Sequence, residues 1–340
     1  MTGTTVIWGA GAVGGTLGAY LARAGEDILF VDNVPEHVAA INRSGLTIEG
    51  PIDNFTVAAK ACLPTDVPGR FGRIILAVKA QHTVAASAAL EPHLADDGYV
   101  VSAQNGLNEI AIARQVGEAR TMGCFVNYGA DYLEPGRIIY GGYGAVVLGE
   151  LDGSSTPRLA DTLTLFRKFE ARAIATDNIW GYLWGKLGYG ALLFATALTN
   201  RSIADALAEP RWKPIFRKIG TEAMQAARAR KVRAEGFNGF DVAAFAPDAP
   251  DAAVQASLDA MVAHNAKSAK THSGIWRDLA VRKRKTEVDA QIAIIADLAK
   301  EVGVDTPAIR ALVAFVHDVE GGRRQMDDAT LDALAVAVGA

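Results

Sequence analysis

Gly9-Ala10-Gly11-Ala12-Val13-Gly14 is the first run of residues whose types and spacing suggest a chemistry. In such a loop Gly9 permits a tight turn, Gly11 lets the backbone approach a pyrophosphate, and Gly14 lets a following helix pack close to the preceding strand. The helix N-terminus, entered through Ala12 and Val13, offers unpaired N–H groups to the phosphates. Twenty-three residues past Gly9 stands Asp32. At the end of a second strand its carboxylate can accept hydrogen bonds from the adenosine ribose hydroxyls and repel a 2′-phosphate. Asn33, Val34 and Pro35 follow it and supply no arginine fork for that phosphate. NAD is therefore expected over NADP, while FAD stays open because flavoproteins share both loop and acid. Two plainer readings stand beside this one: a glycine turn that binds nothing, and Asp32 as a turn residue or helix N-cap.

The loop carries that meaning only between a strand and a helix. A β-rich run at 5–8, a helical pattern over 14–23 and a second strand at 27–31 give a βαβ opening. Further strands are expected at 73–78 and 99–102, each followed by a turn (79–82 and 104–108) and a helical segment. This alternation predicts an α/β, Rossmann-type doubly wound parallel sheet. Around Pro135-Gly136 and Gly141-Gly142 the rhythm shortens, which predicts antiparallel strands within 121–149 closing the sheet's far edge. The first half should end near Thr176. From Asn178 onward apolar residues recur at three and four spacing, through 180–198 and again 288–302, which predicts an all-α second half. Gly236, Gly239, Pro247 and Pro250 mark 235–253 as a surface loop. Pro307 after Thr306 predicts a helix start, and Asp327-Asp328 should cap a last helix reaching Val338.

Half of the 340 residues are apolar and 21% are charged, enough for two domains with ordinary cores and incompatible with disorder as the main state. A net charge of −4 leaves no overall positive field for nucleic acid or an anionic bilayer. The run Arg282-Lys283-Arg284-Lys285 lacks interleaved aromatics and reads as a solvated face. Cys62 and Cys124 stand apart with no Cys/His cluster, so neither a disulfide framework nor a metal site is expected. No apolar run approaches the ~20 residues of a membrane span, and no basic leader precedes Val6. A cytoplasmic protein without nucleic-acid or membrane partners is expected.

The glycine loop, Val78-Lys79-Ala80, Asn105-Gly106, Trp184-Gly185-Lys186-Leu187 and Thr286-Glu287-Val288-Asp289 occur in this order across nearly the whole chain. Together they resemble the ketopantoate reductase (2-dehydropantoate 2-reductase) family. The resemblance implies a dinucleotide-binding Rossmann domain over 1–176 and a helical substrate-binding and dimerisation domain over 177–340, with the site in the cleft between them. A homodimer is compatible with it. The implied reaction is hydride transfer between NAD(P)H and a small 2-oxo acid, giving the 2-hydroxy acid. Lys186 would be the general acid, with Asn105 and Lys79 along the nicotinamide and ribose. Glu287 would hydrogen-bond near the substrate, and Ser273 would help hold its acid group. Hydride addition to a carbonyl builds negative charge on oxygen, so a cation within reach lowers the barrier. Taken alone, Lys186 also reads as a snorkelling lysine and Glu287 as an acid at a helix start.

Typical family members carry asparagines four and eight residues after the lysine, on one helix face. Here those positions are Gly190 and Phe194. A site that loses such polar partners loses discrimination for a hydroxylated substrate. The expectation is a 2-oxo acid larger or more apolar than ketopantoate, aromatic acids included, lined by Asn105, Gly190, Phe194 and Ser273. Asp32 is the second departure, because the NADPH-dependent members place a basic residue near that point. Two alternatives remain: genuine 2-dehydropantoate 2-reduction in pantothenate biosynthesis with a rearranged pocket, and a non-catalytic dinucleotide sensor or scaffold. Arg277 and His272, beside Trp276 and Ser273, are further candidates for gripping a carboxylate.

Overall fold

Strand β1 (Thr5–Trp8) is buried along its whole length, as the middle strand of a parallel sheet must be. It pairs in parallel with β2 (Ile28–Val31) on one side and β6 (Phe71–Leu76) on the other. In this computed structural model, which describes residues 3–267 and 271–340, the chain divides after Ile179 into two compact units. Chain order in the first unit continues with β3 (Leu46–Glu49), β4 (Phe55–Val57), β5 (Lys60–Cys62), β7 (Leu94–Ser102), β8 (Thr121–Val126), β9 (Gly129–Glu134), β10 (Arg137–Gly142), β11 (Val146–Glu150) and β12 (Ile174–Ala175). The main sheet runs β12-β11-β8-β7-β6-β1-β2-β5. All its pairings are parallel except β8 with β11. Helices α1 (Ala12–Arg23), α2 (Pro35–Ser44), α3 (Thr83–Leu90), α4 (Glu109–Val116) and α5 (Pro157–Phe166) make the connections. The doubly wound α/β expectation therefore holds.

The antiparallel expectation for 121–149 needs correcting. Of the strands in that stretch only β8 and β11 join the main sheet, and β12 lies outside them at its edge. Strands β9 and β10 leave it and join β3 and β4 in a second sheet of order β4-β3-β10-β9. The physical reason lies in the alternation of β10, where Ile138 and Tyr140 are buried and Arg137 and Gly141 are exposed. That apolar face packs on α1, and a Cβ placed on Gly15 would sit 2.2 Å from Ile138 Cδ1. Helix α1 itself begins at Ala12, two residues before the expected start.

The second unit is helical: α6 (Ile179–Thr196, whose first residue closes the first unit), α7 (Ile203–Ala208), α8 (Lys213–Ala229), α9 (Asp251–Ala266), α10 (Gly274–Ala280), α11 (Ile294–Glu301), α12 (Pro307–Glu320) and α13 (Asp328–Ala337). Thr306 and Asp327 are the residues at the starts of α12 and α13, as expected, and the Asp327 carboxylate accepts the Thr330 N–H. The Thr306 side chain does not cap α12. Instead Glu222 of α8 accepts the N–H groups of Ala308 and Ile309 at 3.0 and 2.9 Å, and burial pushes its carboxyl pKa up despite these bonds.

The 235–253 segment is not a bare surface loop. It contains a 3-10 turn at Val242–Phe245, and Phe240 and Phe245 are buried and stacked with centroids 4.7 Å apart. Glycines of α6 admit it: a Cβ on Gly185 would lie 1.8 Å from the Glu235 carbonyl oxygen, and one on Gly188 would lie 2.8 Å from Phe240. Burying two phenylalanines outweighs the turn-forming composition, since each is worth about 1.5–3 kcal/mol.

Candidate active site

The loops expected to bind a dinucleotide follow the carboxyl ends of β7, β6, β1 and β2, which are consecutive neighbours in the sheet. That is where open α/β sheets bind ligands. Gly9 has φ +102°, a region L-residues with side chains avoid. A Cβ on Gly14 would lie 2.0 Å from the Gly9 carbonyl oxygen and 2.8 Å from Ala77, so helix and strand can be this close only at glycine. Around Gly11 the situation is opposite: nothing lies within 4 Å of a Cβ there. The first turn of α1 has no side-chain cap, and Gly11, Ala12 and Val13 are partly exposed. This turn, tight at two glycines and open at the third, fits a pyrophosphate with the N–H groups of the first helical turn as donors.

Asp32, directly after β2, uses both carboxylate oxygens on backbone: Oδ2 accepts the Ala10 N–H at 2.9 Å and Oδ1 the Val34 N–H at 3.0 Å. It thus anchors the glycine loop and shapes the turn into α2, and each oxygen keeps a second lone pair for a ribose hydroxyl. Lys79 precedes the 3-10 turn Ala80–His82, and Asn105 is exposed beyond β7.

A buried polar chain ties these last two loops together. Gln104 Nε2 donates to the Val78 carbonyl and to Thr83 Oγ1, both at 2.8 Å. Thr83 donates on to Asn108 Oδ1 at 2.9 Å, and Asn108 Nδ2 donates to the Asn105 carbonyl at 2.7 Å. Sequence reasoning missed Gln104, Thr83 and Asn108; the signal available was a run of polar residues just after two apolar strands.

On α6 the residues Tyr182, Lys186, Gly190 and Leu193 keep part of their surface, whereas Trp184 and Leu187 beside the lysine are buried. Spacings of three and four make this one stripe of the helix. Phe194 does not belong to it, being 1% exposed, so Leu193 takes the place expected of Phe194. No atom lies within 4 Å of a Cβ on Gly190, so the stripe is open next to the lysine.

Ser273 caps α10, with Oγ accepting the Trp276 N–H at 3.1 Å, and its hydroxyl proton remains available to donate. His272 packs on Trp276 at 4.1 Å between centroids, with its nitrogens near Thr271 Oγ1 and the Asn200 carbonyl. Those contacts occupy the imidazole that was a candidate carboxylate ligand. The basic run is not simply solvated either: Arg282 and Arg284 both pair with the carboxylate of buried Asp278.

Glu287, partly exposed, lies just ahead of a π-helical turn at Asp289–Ala293, a local geometry concentrated at functional sites. The residues on either side of it are fixed from α12. Thr286 donates its N–H and its hydroxyl to Glu320 Oε1, both at 2.7 Å. His317 bridges Glu320 Oε2 at 3.0 Å and Asp289 Oδ1 at 2.9 Å. Partial burial works against the charged imidazole, and the hydrogen bonds and charges of Glu320 and Asp289 outweigh it, raising the His317 pKa above 6.5. Among the described residues no group of three or more His, Cys, Asp or Glu is placed to hold a metal ion, and no helix is long and apolar enough to cross a membrane.

The sequence profile described as "Ketopantoate reductase PanE/ApbA" matches residues 5–153, and "Ketopantoate reductase PanE/ApbA C terminal" matches 178–320. Among curated relatives, a 2-dehydropantoate 2-reductase of Mesorhizobium japonicum is 26% identical over 92% of this chain and 96% of that protein. One from Pyrococcus abyssi is 34% identical, over 53% of this chain and 58% of that protein, so this match spans little more than half of either. The fold is similar to a PanE/ApbA family ketopantoate reductase from Ralstonia eutropha JMP134, with TM-score 0.79 and 24% identity over 94% and 99% of the two chains. It is equally similar to a ternary structure of D-mandelate dehydrogenase with NADH and anilino(oxo)acetate, at TM-score 0.80 and 21% identity over 94% and 99%.

Proposed function

Because the chain belongs to the ketopantoate reductase PanE/ApbA family, and so to the nicotinamide-dependent oxidoreductases acting on CH–OH groups, we propose that it interconverts a 2-oxo acid larger or more apolar than ketopantoate with the corresponding 2-hydroxy acid, preferring NAD to NADP. The nicotinamide, when bound, supplies or accepts the hydride. The chain's own residues do the rest. The N–H groups of the first turn of α1 hold the pyrophosphate, and Asp32 accepts the ribose hydroxyls while its charge disfavours a 2′-phosphate. Lys79 and Asn105 flank the nicotinamide and its ribose. Lys186 donates its Nζ proton to the carbonyl oxygen as charge develops there and takes it back in the oxidative direction. Ser273 and Glu287 hydrogen-bond the acid.

The observation that carries the substrate reading is the accessible stripe of α6, where Gly190 and Leu193 stand beside Lys186 with no amide to pair a hydroxylated side chain. The D-mandelate dehydrogenase of similar fold, solved with NADH and an anilino-substituted oxo acid, supports a substrate of this kind. Steady-state kinetics over a panel of 2-oxo acids tests it: aromatic and branched acids should exceed ketopantoate in kcat/KM with NADH. Efficient turnover of ketopantoate with the others far behind would instead favour the activity by which the curated relatives are named. For the cofactor, Asp32→Asn removes the charge while its single amide oxygen can still accept one of the two backbone N–H groups, and should narrow the preference for NADH over NADPH. An NADPH preference in the unaltered protein would defeat that part.

A further inference from the structure

We propose that His37 is a positioning residue of the dinucleotide site, locking the peptide between Ala10 and Gly11 to the β9–β10 turn so that the glycine loop is preset for a pyrophosphate. The inference rests on the reading that this unit binds a nicotinamide dinucleotide. His37 lies in the first turn of α2 and is 1% exposed. Its Nε2 is 2.8 Å from the Ala10 carbonyl oxygen, and the Gly136 N–H donates to its Nδ1 at 2.9 Å. A carbonyl can only accept and a backbone N–H can only donate, so these two partners fix a neutral ring with its proton on Nε2. The Tyr132 ring meets the imidazole edge-on at 5.1 Å and 74°, which holds its plane.

The bond falls on a peptide that matters to the ligand. In a planar trans peptide the C=O of Ala10 and the N–H of Gly11 point in opposite directions. Gripping the Ala10 oxygen from α2 therefore turns the Gly11 N–H away from His37. The other side of Ala10 is held as well, by its N–H donating to Asp32 Oδ2 at 2.9 Å. Both main-chain groups of Ala10 are thus taken by side chains, Asp32 just after β2 and His37 in the first turn of α2, and the residue that follows is the glycine with open space around it. A side chain needed only for packing would not have to place two nitrogens on backbone groups of two distant turns. Without the imidazole, the Ala10 carbonyl and the Gly136 N–H lose their partners, and the Ala10–Gly11 peptide is free to rotate before the ligand arrives.

The test compares His37→Leu, which keeps bulk and removes both bonds, with His37→Gln, whose amide can still donate and accept. Folding is checked by circular dichroism, and NADH affinity is read by fluorescence titration. His37→Leu should weaken NADH binding on the order of tenfold, the effect of losing one or two buried hydrogen bonds, with kcat and the 2-oxo acid KM at saturating NADH little changed. His37→Gln should recover most of the affinity. A folded His37→Leu that binds NADH as tightly as the parent overturns the proposal and leaves the functional reading intact. A parent protein that binds neither NADH nor NADPH sinks both. Should His37→Leu not fold, nitrogen-15 NMR of the unaltered protein decides. A neutral Nε2–H tautomer whose resonances shift when NADH is added supports the proposal, and a charged ring or an Nδ1–H tautomer overturns it.

Discussion

The glycine turn of the first unit and, in the second, the α6 stripe with the 273–289 segment both present polar groups, but they are built by opposite means. In the first, the binding we propose falls mainly to backbone: Gly9 and Gly14 are glycines because there is no room for a Cβ, and the side chains of Asp32 and His37 hold the peptides in place. In the second, the groups proposed for chemistry are side chains on α6, on the cap of α10 and on a bend before a π turn, and a second layer of side chains holds the bend. A backbone site tolerates change in anything but space. A side-chain site is only as exact as its supporting bonds.

Removing the proposed acid separates the two regions most sharply. Lys186→Ala should lower kcat by roughly a thousandfold, within the span typical of general acids, while NADH affinity measured by fluorescence stays as in the parent. Equal losses in both would mean that the lysine shapes the fold rather than the chemistry, and absence of turnover on any carbonyl in the parent would favour the sensor reading.

Next come the glycines, which should behave in opposite ways. Gly14→Ala forces a Cβ against the Gly9 carbonyl and should cost about 1–3 kcal/mol, seen as a lower melting temperature. Gly11→Ala meets nothing and should leave the melting temperature unchanged while weakening NADH about tenfold, the methyl occupying space meant for the phosphates.

Glu320→Gln tests the supporting layer of the second region. It leaves an acceptor for Thr286 but removes the charge shared with His317, and should lower kcat/KM for the 2-oxo acid by about tenfold, as for a weakened charged hydrogen bond, with cofactor affinity unaffected.

The smallest effect is in pH. The raised His317 pKa means that the folded state favours the imidazolium. Its contribution to stability is therefore complete below the ordinary value of 6.5 and disappears as pH rises through the higher folded value. The melting temperature of His317→Gln should fall below that of the parent on the acid side, by on the order of 2 °C, and the gap should close as the solution becomes alkaline.

What could be read in advance follows the same division. The βαβ opening is one unbroken stretch of chain, and the glycine loop, Asp32 and the starts of α12 and α13 are each contained in a single turn. The second sheet was illegible because β3 and β4 are four and three residues long and β3 finds β10 only through the fold. Composition hid Phe240 and Phe245 among glycines and prolines, and counting by four from Lys186 reached Phe194 where the accessible neighbour is Leu193. The chain from Gln104 through Thr83 to Asn108, and the brace of Glu320 and His317, join residues from separate loops, so no window of sequence contains them.

The small sheet also bears on how the first unit is assembled. Thr47 pairs with Arg137, and β6, β7 and β8 of the main sheet all lie in the chain between the strands carrying them. Contacts of such long sequence separation form late, because their loop entropy is repaid only once closer contacts exist. The Pro135-Gly136 corner of that late sheet is the one that reaches His37. An incompletely folded chain would therefore have its early strands in place and still lack a finished phosphate turn, so the ability to take up dinucleotide would be among the last properties a newly made molecule acquires.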